Sequence, residues 1–125
     1  MLRDAPMYSY IPVKDLARAR AFYEQKLGFK PDRELEGGVS YKSGGGAAFF
    51  MYPSAGAGTS QASQAFWEVR DIRAEVTALK KQGVVFEEYA NPEYRTVDSI
   101  ATGGGAMTAW FKDTEGNILA IVQPL

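Results

Sequence analysis

The chain has 125 residues, of which 46% are hydrophobic, 13% aromatic and 23% charged, a composition that fits one compact folded domain and excludes a disordered chain. Fourteen Lys and Arg against fifteen Asp and Glu leave a net charge of −1, too weak a field to hold a polyanion, so nucleic acid is not an expected partner. Cysteine and histidine are both absent, which removes disulfides, thiolate nucleophiles, Ser/His/Asp triads and the commonest transition-metal ligand.

The opening "MLRDAPMYSYIP" lacks a basic flank followed by a sustained apolar run, and nowhere do about 18 apolar residues follow one another. No membrane partner and a cytoplasmic location are expected. Tyr8 to Val13 alternates as a strand does. Asp15 can accept hydrogen bonds from the first free amides of a helix over 15–27, where Leu16, Ala19, Tyr23 and Leu27 recur on one face, and Gly28 ends it. "GFKPDREL", "GVSYKS" and "AAFFMYP" then read as strands separated by "EGG" and "GGG". Neither triple glycine carries the Lys and Ser or Thr of a phosphate loop, and both sit between strands instead of ahead of a helix, so they read as hairpins.

"SAGAGTSQAS" is small and polar, as a linker is. Ala65 to Val69 is a second strand, followed by a helix over 71–82 with Asp71 as cap, Ile72, Val76 and Leu79 as its apolar face and Gly83 as its stop. "VVFEEY", "DSIAT", "AMTAWFK" and "NILAIVQ" follow as strands, with "NPEYR", "GGG" and "DTEG" between them.

The order repeats. Val13, Lys14, Asp15 and Leu16 match Val69, Arg70, Asp71 and Ile72, and Gly28 matches Gly83 with a gap of one residue. The chain therefore divides into one module over about 5–53, a linker over about 54–63 and a second module over about 64–125, each a strand, a helix and further strands.

With "VKDLARARAFYEQKLGF" near the start and "FKDTEGNILAIVQ" near the end, the sequence resembles the vicinal oxygen chelate superfamily, which holds glyoxalase I, extradiol dioxygenases, and fosfomycin-resistance and bleomycin-binding proteins. The resemblance implies an α+β fold of two tandem βαβββ modules, a curved mixed sheet around a cavity with the helices outside, and a homodimer that often completes the site. In metal-using members one ligand of each module lies seven residues before the Asp that opens the helix, which here is Tyr8 or Gln64. In the second module the other lies four residues after the Gly of the closing turn, here Ala120, and aligning "YKSGGGAAFFMY" with "FKDTEGNILAIV" puts Phe50 opposite it. Ala and Phe offer no lone pair and neutral Gln is a poor ligand, so neither a metal site nor another cofactor is expected.

Alternation sorts the strand residues by face. Tyr8, Tyr10, Phe50, Tyr52 and Phe66 are expected to line the cavity, with Gln64 and Glu68 as polar points, while Ile11, Val13, Phe49, Met51, Trp67, Val69, Leu119 and Ile121 pack under the helices. Trp110 and Tyr94 stand beside this wall without a facing that alternation fixes, and Arg95 lies in the polar loop nearby. Such a wall suits a flat organic ligand. The expected function is metal-free binding of a small aromatic or drug-like compound, as in bleomycin resistance. Two alternatives stand beside it: a lyase or isomerase using Glu68 as acid or base with the tyrosines, and a dimeric interaction module with a filled cavity.

Overall fold

The structure is a computed structural model and describes residues 1–125. It is an α+β fold with two mixed sheets. In the first module β1 (Ser9–Val13), β2 (Pro31–Leu35), β3 (Gly38–Lys42) and β4 (Ala48–Pro53) assemble in the order β1-β4-β3-β2, with β1 and β4 parallel. In the second, β5 (Ala65–Glu68), β6 (Thr96–Val97), β7 (Ile100–Gly103), β8 (Ala106–Lys112) and β9 (Ile118–Pro124) assemble as β5-β9-β8-β7-β6, again with the first and last strands parallel. The two orders coincide once β6, a two-residue edge strand, is set aside.

Both helices begin where their aspartates dictate. Asp15 accepts a bond from the Arg18 amide at 3.0 Å and opens α1 (Leu16–Ala21), and Asp71 accepts from the Ala74 amide at 3.1 Å and opens α2 (Ile72–Lys81). Gly28 and Gly83 follow the helices with φ of +84° and +91°, a region open to glycine at no steric cost. The first helix does not run to its glycine as a regular α-helix. Phe22–Lys26 widens into a π turn, with the Leu27 amide donating to the Phe22 carbonyl at 3.1 Å. This is where the one-residue gap between the repeats goes: the extra residue of the first module is taken up as a wider turn. Phe22 and Tyr23, adjacent in sequence, are both buried as a result.

One continuous core of 18 buried residues draws on both modules, from Ile11, Tyr23, Tyr41 and Phe49 to Ile72, Val76, Phe111 and Leu119. The faces expected to pack under the helices do so. Trp67 of the second module meets Phe49 and Phe29 of the first at ring distances of 6.2 and 5.6 Å.

Two differences from the sequence reading lie in the second module. Residues 84–89 make no strand; only Phe86 bridges to Phe111, both rings pointing into the core. The turn expected at "NPEYR" is followed by the short hairpin β6–β7, whose two central residues, Asp98 and Ser99, have φ of +51° and +72°. Glu88 holds that hairpin, accepting bonds from the Thr96 hydroxyl at 2.6 Å and from the Ser99 amide and hydroxyl at 3.1 and 2.9 Å.

The closing turn between β8 and β9 fastens the modules together. Asp113 accepts from the Glu115 and Asn117 amides, both at 2.9 Å, and from the buried Tyr23 hydroxyl at 2.7 Å. Asn117 donates to the Pro12 carbonyl at 2.7 Å. Glu115, its side chain fully enclosed, accepts from the Lys14 and Asp15 amides at 2.9 and 2.8 Å and from the Arg18 Nε and Nη2 at 2.9 and 3.0 Å. Burial alone would raise its pKa; the Arg18 pair and the amide donors outweigh burial and bring it down to about 2.

Candidate functional site

The aromatic residues that the core does not use mark the candidate site. On the first sheet Tyr10 pairs in register with Phe50, and Phe50 with Ser40, so all three share the face turned away from the core. Tyr10 is 68% exposed and Tyr8, just before β1, is 51% exposed. With Phe50 they line a shallow apolar hollow of about 240 Å³. Tyr10 meets Phe50 edge-on at 5.9 Å and Tyr52 at 4.6 Å, which fixes its ring without burying it.

Phe50 owes its position to Gly38. A Cβ at Gly38 would collide with the Met51 carbonyl and stand 2.9 Å from the Phe50 ring, so the ring rests where only a glycine leaves room. Beside it, the Ser40 hydroxyl is buried without a hydrogen-bond partner.

The second sheet repeats the pattern with different residues. Ala120 pairs in register with Phe66 on one side and Trp110 on the other, just as Phe50 pairs with Tyr10 and Ser40. The register fixes the facing of Trp110 that the sequence left open: it lies on the same face as Phe66. Phe66 is 63% exposed. Trp110 packs against Tyr89 at 5.4 Å and Tyr94 at 5.3 Å, and these two meet at 5.2 Å. Tyr89 was not among the residues expected here. Its signal was the pair of tyrosines flanking "ANPE", a turn that folds one back on the other.

The structure thus brings Tyr8, Tyr10, Phe50 and Tyr52 together on one sheet, and Phe66 and Trp110 on the other. Gln64, which precedes β5, has a buried side-chain oxygen with no partner, and its amide donates to the Ile118 carbonyl at 2.9 Å. Glu68 stands apart from the tyrosines: it is exposed at the end of β5 and lines a different hollow, with Leu27, Phe29 and Trp67. Arg95 is exposed in the loop before β6 and makes no ion pair within 4 Å.

The four positions at which the resemblance places metal ligands occupy equivalent places in the two modules, as the shared register of Phe50 and Ala120 shows. The donors there are a phenol, an amide and two hydrocarbons, which do not fit a divalent transition metal. No group of three or more acidic side chains comes together elsewhere in a metal-binding arrangement.

Comparison with known proteins agrees with this architecture. The Glyoxalase/Bleomycin resistance protein/Dioxygenase superfamily matches residues 6–121, and the chain belongs to it. No curated protein matches the chain by sequence. Among solved structures, the antibiotic binding protein TnmS3 from Streptomyces sp. superposes with a TM-score of 0.69 at 20% identity, covering 100% of this chain and 99% of its own. A glyoxalase/bleomycin resistance protein/dioxygenase from Alicyclobacillus acidocaldarius gives 0.71 at 19% identity, over 98% of this chain and 92% of its own. UcmS2 gives 0.71 at 18% identity, over 94% and 98%. At these identities the likeness is one of fold.

Proposed function

We propose that the chain is a small-molecule binding protein that works without a metal, taking a flat, partly aromatic compound against its exposed aromatic faces. The observation that carries this reading is the cluster of Tyr8, Tyr10 and Phe50 around an open apolar hollow. Aromatic rings of this size are ordinarily recruited to the core, and here the core is complete without them. Stacking and edge contacts with such rings suit a planar ligand. Likeness to an antibiotic binding protein favours a drug-like compound over a small polar metabolite. Each sheet offers one aromatic face, so a homodimer in the cytoplasm, bringing the first sheet of one copy against the second sheet of the other, is the assembly that would enclose the ligand on both sides. Glu68 stands away from the tyrosines, and for that reason binding is preferred here to acid–base catalysis.

A thermal-shift screen of aromatic compounds tests the proposal. A ligand present at a hundred times its Kd should stabilise the fold by about 2.7 kcal/mol, about 10 °C in Tm for a chain of this length. Phe50→Ala should abolish most of that shift at a cost in stability of about 1–2 kcal/mol, since the ring is only partly buried, whereas truncation of the buried neighbour Phe49 should cost about 3–5 kcal/mol. A large loss of stability in Phe50→Ala with no stabilising compound found would replace the binding reading with that of an interaction module. Turnover of a bound compound that disappears in Glu68→Gln would make the protein an enzyme.

A further inference from the structure

We propose a second ligand site, separate from the aromatic faces, in the cavity between β5, α2 and the segment that follows α1, and that it takes a small hydrophobic monocation such as an arylalkylamine. The cavity holds about 200 Å³ and opens to solvent on one side. Its floor is core: Phe111 and Ile121 are 1% and 3% exposed. Its wall is aromatic. Trp67 lies parallel to Phe111 at 6.3 Å and meets the tilted ring of Phe29 at 5.6 Å. Phe29 is anchored there by its amide, which donates to the Tyr23 carbonyl at 3.0 Å just past the π turn.

Two carboxylates complete the lining, Glu68 at the end of β5 and Glu75 in the first turn of α2, and no Lys or Arg lines the cavity. The six ion pairs of the molecule all lie elsewhere, so neither acid is neutralised within 4 Å. An acid in the first turn of a helix has an ordinary role beside the helix dipole; Glu68 at a strand end has none. Two unpaired negative charges over aromatic surface attract a cation and repel an anion, and the ring faces add their own attraction for an ammonium group. The volume is below that of a drug-sized pocket, which limits the guest to one ring and a short arm.

The test is a titration of 15N-labelled protein with phenethylammonium, followed through the side-chain signals of its two tryptophans, Trp67 and Trp110. The expected result is a saturable shift of the Trp67 indole with Trp110 unmoved, no shift at either with 3-phenylpropionate, and about a tenfold weaker response in the doubly substituted Glu68→Gln, Glu75→Gln protein. Equal responses to the two probes, or an unchanged affinity in the double variant, would overturn the cation preference. Saturation seen only at Trp110, or at neither indole, would overturn the site, while leaving the binding role of the aromatic faces to its own screen.

Discussion

Replacing Glu115 by Ala removes at one stroke the acceptor of four bonds from the first module, two from backbone amides and two from the Arg18 guanidinium. The carboxyl titrates at about 2 in the folded chain against an ordinary value of 4.5, a difference that corresponds to about 3 kcal/mol of stabilisation. Arg18 is half exposed, so the pair is not a fully buried one; losing charge-assisted bonds to an enclosed carboxylate, at about 1.5–3 kcal/mol each, gives a similar figure by a separate route. The variant should therefore lose about 3 kcal/mol at pH 7, or about 10 °C in Tm. Because the folded pKa is depressed, this contribution is full above about pH 5 and drains away as the pH falls towards 2. The gap between the parent and Glu115→Ala should accordingly narrow by about 2 kcal/mol from pH 7 to pH 3, and Glu115→Gln should show the same narrowing because it too lacks the titration. Urea unfolding followed by far-ultraviolet circular dichroism at the two pH values measures both quantities. A cost under about 1 kcal/mol at pH 7, or the same cost at pH 3, would refute the assignment of Glu115 as the charge that holds the modules together.

Tyr23→Phe should cost about 1.5–3 kcal/mol in the same urea assay, because it takes a charge-assisted bond from the buried Asp113 without changing shape. Gly38→Ala should cost about 1–3 kcal/mol and alter the near-ultraviolet spectrum, since the new methyl collides with the Met51 carbonyl and displaces the Phe50 ring. A chelator should leave Tm unchanged in protein purified without an affinity tag, and stoichiometric zinc, nickel, iron or manganese in that protein, lost with chelator along with stability, would overturn the metal-free reading.

The parts of this fold that were legible in the sequence are those governed by local rules. Asp15 and Asp71 announce helix starts because a short acceptor before an apolar stripe has few other uses, and the inward faces of β1, β4, β5 and β9 follow from a period of two. The duplication carried the first-sheet wall as well, since Tyr8, Tyr10, Phe50 and Tyr52 sit where the repeat puts them. What stayed hidden depends on distant partners. The β6–β7 hairpin turns on two non-glycine residues with positive φ, supported by Glu88 from another loop, so "VDSI" gives no turn signal of its own. The alternation of "VVFEEY" suggests a strand, yet its contacts stop at one bridge, Phe86 to Phe111, and single bonds from Glu87 to Trp110 and from Thr96 to Tyr89, too few to make a ladder. The polar residues of "DTEGN" read as a solvent turn, whereas Glu115 and Asn117 are 5% and 1% exposed; their acceptors and donors are groups about a hundred residues earlier in the chain. Glu68 illustrates a limit of alternation itself: at the end of an edge strand a long side chain can reach round to the other side.

The bonds from Glu115 also make the two halves of the duplication unequal partners. The amide at the start of α2 is satisfied within its own module, by the side chain of Gln123 on β9 at 2.9 Å. In the first module the corresponding strand position is Pro53, which has no acceptor in its side chain, and the turn corresponding to "DTEGN" is "SGGGA", which has no carboxylate to return the favour. The second module therefore closes its own helix, while the first depends on a loop made 97 to 101 positions later. Split at the linker, the second half would keep the acceptor of its Ile72 amide while the first would keep its Asp15 cap but lose the acceptor of the Lys14 and Asp15 amides, and the intact chain should unfold in a single transition in which neither half outlasts the other. A tandem of two first modules would have no key for its lock.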